Sequence, residues 1–327
     1  MERVAKKRLA LYTGRSHVEL AQEIADCLGE HLWDANIVEF ANGEIRPRFA
    51  DSVRGCDVFV IQSHAATETS SVNDSVMEHL IMIDAAKRAS AKRITAVAPF
   101  YGYARQDRKA EGREPITAKL ITDMFETAGA KRLISVDLHS GQIQGFFNGP
   151  VDHLTAMPVL VDYLKRNGGS DLVVVSPDAG RVKVSERYSQ QLNADLAIVH
   201  KRRPKGVDNK VVALDVVGQV DGRRCVLIDD MIDTAGTICA AAEILLDRGA
   251  SEVWAAATHA VLSDPATERL KNSRLSKVIV TNTLPLPSEK RFDKLEVLSV
   301  ARVIADAIDA VFEDTSVSEI FGGQNQG

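Results

Sequence analysis

Cysteine is scarce in this chain, and cations do not outnumber anions. The four cysteines, Cys27, Cys56, Cys225 and Cys239, are scattered over 327 residues, and no two of them form C-x-x-C. That spacing excludes a disulfide framework or a thiolate zinc site and matches reduced thiols in a cytoplasm. Lysines and arginines number 40 against 45 acids, a net charge of −5, so there is no basic footprint for nucleic acid. No apolar run approaches the roughly 20 residues of a membrane span. The apolar part of MERVAKKRLALYTG is too short for a signal-peptide core. A soluble, cytoplasmic protein is expected, with neither nucleic acid nor membrane among its partners. At 45% hydrophobic, 327 residues can bury a sizeable core and suit two domains better than one.

What the chain has in quantity is short, nearly continuous apolar runs: DVFVIQS, RITAVAPF, RLISVDL, LVVVSPD, CVLIDD, VWAAATH and KVIVTN. Such runs suit strands covered on both faces, as in parallel sheets. Helical patterns lie between them. Ile238, Ala241, Ala242 and Leu245 share a face, and Gly249 stands where that helix should stop. Pro115 stands at another helix start, with Leu120, Ile121 and Met124 on one face until Gly129. One joint recurs in KRASAKRITAV, ETAGAKRLISV and DRGASEVWAAA: helix end, small residues, a polar step, then a strand. The alternation predicts an α/β protein of βαβ units, its two halves alike in architecture.

The boundary falls between Gly149 and Met157, where GPVDHLTAMP carries two prolines and little periodicity. Domains over 1–155 and 156–311 are expected, with a tail over 312–327 that packs back on the first. The tail segment SVSEIFGGQNQG shows no strand or helix pattern of its own. Two charged loops directly follow predicted strands, YGYARQDRKAEGREP (Tyr101 to Pro115) and HKRRPKGVDNK (His200 to Lys210). Their composition alone fits solvated loops equally well. Their position is where ligands bind in open α/β sheets.

The stretch VLIDDMIDTAGTI, Val226 to Ile238, concentrates the chemistry. A buried strand runs into Asp229 and Asp230, and a turn of Asp233, Thr234, Ala235, Gly236 and Thr237 opens a helix. Backbone N–H groups at a helix N-terminus cradle phosphate, and the threonines add hydroxyl donors. Gly236 permits close approach, or a conformation that a side chain would forbid. Carboxylates one step earlier are acceptors for vicinal sugar hydroxyls. A ligand with a phosphate at one end and a diol at the other is a ribose phosphate. A plain helix start capped by Asp233 or Thr234 would explain one acid, not three with a Gly-Thr turn.

This stretch closely resembles the ribose-phosphate motif of phosphoribosyltransferase-like proteins, two acids followed by D-T-x-G-T. A second segment, DLHSGQIQGFFNGPVD (Asp137 to Asp152), resembles the signature of the ribose-phosphate pyrophosphokinase (phosphoribosyl pyrophosphate synthetase) family. FANGEIRPRF, YARQDRK with GREPITAKL, SPDAG, HKRRP, DDMIDTAGT, VTNTLP and SVSEIF all stand in family order, so the resemblance covers almost the whole chain. It implies two phosphoribosyltransferase-like domains of the common phosphate-activated class. The implied reaction moves pyrophosphate from ATP to the anomeric hydroxyl of ribose 5-phosphate, giving phosphoribosyl pyrophosphate and AMP for nucleotide, histidine and tryptophan synthesis.

Residue by residue, the resemblance implies that Phe40, Asn42 and Glu44 hold adenine in a neighbouring subunit's site. Many relatives carry Asp where this chain has Asn42. Arg105 and Gln106 contact ATP, and His139 and Asp178 bind Mg2+, for which a histidine is an unusual ligand. Lys201 and Arg203 belong to a flexible loop that closes over the reacting phosphates. Asp229, Asp230 and the turn Asp233 to Thr237 take ribose 5-phosphate. Ser52, Arg54, Ser316, Ser318 and Phe321 form a regulatory anion site between subunits, with phosphate and ADP as effectors. A homo-oligomer, most simply a hexamer built from dimers, is implied. Arg181 departs from the pattern, since many relatives have a second glycine after S-P-D-A-G. Two rival readings fit less well. A non-catalytic regulatory subunit would lose reactive positions that this chain keeps: His139, Lys201, Arg203 and the acid pair. A salvage phosphoribosyltransferase would need neither FANGE nor the full DLH signature.

Overall fold

The computed structural model of the chain describes residues 7–202 and 213–321. In chain order it contains strand β1 (Leu9–Thr13), helix α1 (Val18–Leu28), the short strands β2 (Val38–Glu39) and β3 (Ile45–Arg46), β4 (Asp57–Ile61), α2 (Val72–Arg88), β5 (Arg93–Ala98), α3 (Thr117–Ala128), β6 (Arg132–Val136) and β7 (Val151–Leu154). Next come α4 (Met157–Asn167), β8 (Leu172–Ser176), α5 (Val182–Leu192), β9 (Asp195–Arg202), β10 (Ala213–Val217), β11 (Arg224–Ile232) and α6 (Gly236–Asp247). The last elements are β12 (Glu252–Ala260), α7 (Ala266–Asn272), β13 (Lys277–Thr281), β14 (Leu295–Leu298) and α8 (Ala301–Phe312). No helix among the described residues is long and apolar enough to cross a membrane.

These elements form two compact units. The first holds the described chain up to Thr155, Thr283–Pro285 and the described residues from Val300 on; the second holds Ala156–Asn282 and Leu286–Ser299. The first is built on a parallel five-stranded sheet in the order β1-β4-β5-β6-β7. The second is built on a seven-stranded sheet in the order β10-β9-β8-β11-β12-β13-β14, in which only β10 runs antiparallel to its neighbour. The apolar runs became these strands because helices cover both faces. Every residue of β4 and of β8 is buried.

The recurrent joint is a shared piece of hydrogen bonding. Lys92, Lys131 and Ser251, each just before a strand, donate their amides to the carbonyls of Cys56, Ile94 and Arg223 near the start of the neighbouring strand. Each closes a β-α-β crossover, in β4-α2-β5, β5-α3-β6 and β11-α6-β12. Gly249 ends α6 at φ 91°, and a Cβ there would strike Asp221 Oδ1 at 2.0 Å. The position needs glycine on both counts.

The units part between Thr155 and Ala156, within the segment read as the boundary and just after the edge strand β7. Three expectations change. Helix α8, assigned to the second domain by an end at 311, packs on α1 in the first unit. Ile304 and Ile308 of α8 and Leu20 and Ile24 of α1 are fully buried. Each is worth about 1.5–3 kcal/mol. Leu120 is 55% exposed, and α3 buries Ala118, Ile121, Thr122 and Phe125 instead. The tail forms a short 3-10 turn, Val317–Phe321.

In the second sheet the chain begins at β8, lays β9 and β10 on one side, then returns to place β11 on the other side. That reversal opens a crevice at the carboxyl ends of β8 and β11, the place where open α/β sheets hold ligands.

Candidate active site

Strands β8 and β11 run parallel, so the loop leaving β8 and the last residues of β11 meet at the same edge. Asp178 lies just past β8, and Asp229 and Asp230 lie within β11, which continues through them to Ile232. The acids are therefore held by strand pairing, Asp229 opposite Ala257 of β12. The Asp178 carboxylate accepts from the amides of Gly180 at 2.8 Å and Arg181 at 3.1 Å, fixing a 3-10 turn over Ala179–Arg181.

From that turn Arg181 reaches both acids. Its Nε lies 3.2 Å from Asp229 Oδ1 and its Nη2 lies 2.5 Å from Asp230 Oδ1. The same Asp229 oxygen accepts from the Asp230 amide at 2.9 Å. Two part-buried carboxylates thus share one guanidinium. Burial and then Asp230 push the Asp229 carboxyl up, while Arg181 works in the opposite direction.

The turn into α6 is not an ordinary capped start. Its N-cap is Ala235, at φ 60° in the left-handed region, and no side chain caps the helix. Holding a non-glycine residue there costs about 1–3 kcal/mol, a strain that collects at functional turns. The positive φ falls on Ala235 and not on Gly236. A Cβ on Gly236 would meet only Arg269 Nη1 at 3.6 Å and Thr234 Oγ1 at 4.0 Å, both ordinary contacts. Thr234 and Thr237 are exposed, and Arg269 of α7 braces the turn by donating to the Thr234 carbonyl at 2.9 Å.

In the first unit, the loop after β5 is anchored from beneath. Tyr101 is buried and donates its hydroxyl to the Ala118 carbonyl at 3.0 Å. The amide of Gly102 donates to His64 Nδ1 at 2.9 Å, His64 Nε2 lies 3.2 Å from His79 Nδ1, and His79 Nε2 lies 3.0 Å from the Val60 carbonyl. A carbonyl only accepts, so His79 carries its proton on Nε2, and His64 must then donate from its own Nε2. One tautomer per ring satisfies the whole chain, with both rings neutral. Burial drives the His79 pKa down to about 3 and the His64 pKa well below its ordinary value, the latter helped by His79.

Above this base, Arg105 and Gln106 are exposed. Gln106 accepts from Thr117 Oγ1 at 2.5 Å, just where α3 begins. Buried Asp107 accepts from Gln142 Nε2 at 2.6 Å, tying the loop to the segment after β6. That segment carries half-buried His139. Its backbone is set by Thr155, which donates to Asp137 at 2.8 Å, and by the Leu138 amide, which donates to His153 Nε2 at 2.8 Å.

Phe40, Asn42 and Glu44 form the exposed tip of the β2–β3 hairpin, with the Arg46 guanidinium 5.3 Å from the Phe40 ring centre. Asn42 Oδ1 accepts from the Glu44 amide at 3.2 Å. An aspartate would make the same bond, so the departure at Asn42 leaves the turn intact. Ser52 and Arg54 are exposed before β4, and the Ser316 and Ser318 hydroxyls lie 2.8 Å apart. Asp314, just upstream of those serines, bonds Arg93 and Lys7 at 2.5 Å each. Lys201, expected in a flexible loop, has its backbone in β9 opposite Leu214 of β10. Arg203 lies outside the described residues, as does the Phe321 side chain.

Among the described residues no group of three or more His, Cys, Asp or Glu is placed to hold a metal ion. Magnesium is commonly bound by one or two carboxylates with phosphates completing its shell, and exposed Asp178 is an oxygen donor of that kind.

Residues 9–129 match the N-terminal domain of ribose phosphate pyrophosphokinase, and residues 201–322 match the phosphoribosyl synthetase-associated domain. The ribose-phosphate pyrophosphokinase of Streptomyces avermitilis is 56% identical over 320 residues, 98% of each chain. That of Mycobacterium leprae is 54% identical over 98% of this chain and 97% of its own. The chain belongs to the ribose-phosphate pyrophosphokinase family. The crystal structure of phosphoribosylpyrophosphate synthetase from Mycobacterium smegmatis superposes with a TM-score of 0.88 at 52% identity, over 94% of this chain and all of that one.

Within the family frame, three features escaped the sequence reading. Arg181 was visible only as a departure, and its partners lie about fifty residues downstream on another strand. Arg269 sits on a separate helix, with no spacing to link it to Thr234. The alternation of polar and apolar residues could have flagged His79 on a buried helix face, but not its pairing with His64.

Proposed function

We propose that the protein transfers the pyrophosphate group of ATP to the anomeric hydroxyl of ribose 5-phosphate, giving 5-phosphoribosyl 1-pyrophosphate and AMP. The observation that carries this reading is the N-terminus of α6, without a side-chain cap on Ala235, beside a part-buried acid pair. Its amides suit a 5-phosphate, and the carboxylates suit vicinal ribose hydroxyls. Asp229, Asp230 and the turn from Asp233 through Ala235 and Gly236 to Thr237 take that substrate. Arg105 and Gln106 take ATP, and Phe40, Asn42 and Glu44 serve the adenine of a neighbouring subunit. The exposed Phe40 ring is suited to stacking on a base.

The anomeric oxygen bonds to the β-phosphorus as the bond from that phosphorus to the α,β-bridging oxygen breaks. AMP leaves with the bridging oxygen, and the hydroxyl proton is released. Lys201, Arg203 and Arg105 stabilise negative charge on the group in flight, and catalysis rests on in-line positioning. His139 and Asp178 would hold Mg2+, which would supply further neutralisation of phosphate charge. Ser52, Arg54, Ser316, Ser318 and Phe321 form an anion site through which phosphate and ADP act. The enzyme works in the cytoplasm as a homo-oligomer, a hexamer built from dimers.

A coupled assay should detect AMP released from ATP only when ribose 5-phosphate is present. AMP release independent of the sugar, or none with all substrates and Mg2+ supplied, overturns the reading.

A further inference from the structure

We propose that Arg181 is a positioning residue for ribose 5-phosphate, a fixed counter-cation that sets Asp229 and Asp230 to receive the sugar hydroxyls. The inference rests on the reading of the acid pair as the sugar site. The Arg181 guanidinium is directed at the carboxylates, spanning both, with 16% of the side chain exposed. It springs from a rigid base: Asp178 holds the amides of Gly180 and Arg181, and α5 begins at the next residue.

The chemistry explains why a cation belongs there. Two adjacent part-buried carboxylates cannot both ionise cheaply, and without an opposite charge they retain a proton. A retained proton occupies an acceptor that a sugar hydroxyl needs. The groups whose charge acts on Asp229 are Asp230, which favours the proton, and Arg181, which opposes it. A forked guanidinium can oppose it on both acids at once, whereas the compact ammonium of lysine offers charge without the fork. A glycine here would leave the pair without that cation.

The test compares Arg181→Met and Arg181→Lys with the parent enzyme across pH, varying ribose 5-phosphate and ATP separately. Arg181→Met should raise KM for ribose 5-phosphate about 10- to 100-fold at pH 7, the range for a lost charge-assisted bond. KM for ATP should stay within about twofold. The acid limb of kcat/KM for ribose 5-phosphate should move up by about 1–3 pH units, the effect of removing an opposite charge at this range. Arg181→Lys should return the limb close to its parental position while keeping part of the KM defect. A merely structural arginine would leave the limb in place. If Arg181→Met does not fold, Arg181→Gln replaces it as the neutral variant. An unmoved limb in a folded neutral variant, or equal losses for both substrates, overturns the proposal. Asp230→Asn separates the two levels. If it leaves ribose 5-phosphate KM unchanged, the sugar-site reading itself falls. If it raises that KM and the limb is unmoved in the Arg181 variants, only the role of Arg181 falls.

Discussion

A Cβ on Gly236 would find only ordinary contacts within the protein, 3.6 Å from Arg269 Nη1 and 4.0 Å from Thr234 Oγ1, and its φ is not left-handed. Strain falls instead on Ala235, at φ 60°. Packing therefore does not require glycine at 236, and the remaining reason is the approach of a ligand to the backbone. Gly236→Ala should keep or raise stability, by up to ~1 kcal/mol, because alanine favours the helix. It should also weaken ribose 5-phosphate binding at least tenfold. Thermal unfolding and a binding titration on one sample decide it; a variant that binds normally returns Gly236 to the fold.

At the scale of elements, the loop after β5 stands on His64 and His79, whose bonds run from Gly102 to the Val60 carbonyl. Both rings are buried neutral, with pKa values below the ordinary 6.5. The unfolded chain therefore binds more protons as pH falls below 6.5. The stability tied to each ring is whole above that pH and is lost as the unfolded state titrates, about 2 kcal/mol per ring at pH 5. Glutamine at 79 could accept from His64 and donate to Val60 without titrating. Between pH 7 and 5, urea unfolding should show His79→Gln losing about 2 kcal/mol less than the parent, and equal losses would refute the neutral pair. The second charged segment rises from the β9–β10 ladder, with Lys201 opposite Leu214 in the backbone pairing. A cation that acts on charge built during transfer contributes mainly to turnover. Lys201→Ala should lower kcat by on the order of 10²–10³ or more with ribose 5-phosphate affinity nearly intact. Near-parental turnover in steady-state assays would remove Lys201 from the mechanism.

For the whole molecule, assembly is the question. The hairpin tip with Phe40 is exposed within its own unit, which suits a residue meant for a neighbour's site. Sedimentation with activity measured across the boundary should find activity only in the oligomer, and a fully active monomer would sink the shared site. Ser52 and Arg54 precede β4, whose first residue Asp57 bonds Arg93. Arg93 also holds Asp314, beside Ser316 and Ser318, and with Lys7 it keeps the Asp314 carboxyl down at about 2. Both segments of the proposed anion site thus hang on one arginine at the start of β5. Arg54→Ala should blunt the response to phosphate and ADP while basal turnover persists; an unchanged response in effector titrations removes Arg54 from regulation.

Local chemistry was legible because it repeats along the chain. Doubly covered strands read as apolar runs, crossovers as a recurring helix-to-strand joint, and the turn from β11 into α6 as acids followed by D-T-A-G-T. The helix stop at Gly249 was legible too, since backbone conformation and side-chain space both demanded glycine there. Features that depend on distant partners were not. Nothing in the spacing of α8 says that its apolar face will meet α1, because an amphipathic helix specifies a covered face and not what covers it. Leu120 and Ile121 are neighbours of like hydropathy, and only packing put one in solvent and the other in the core. The neutrality of His64 and His79 depends on burial and on each other, while the start of α6 depends on the left-handed turn at Ala235. Arg181 shows the division most directly. The sequence marks it as a departure from the resembled pattern, and tertiary structure decides that its charge meets Asp229 and Asp230, because strand order brings β8 and β11 side by side.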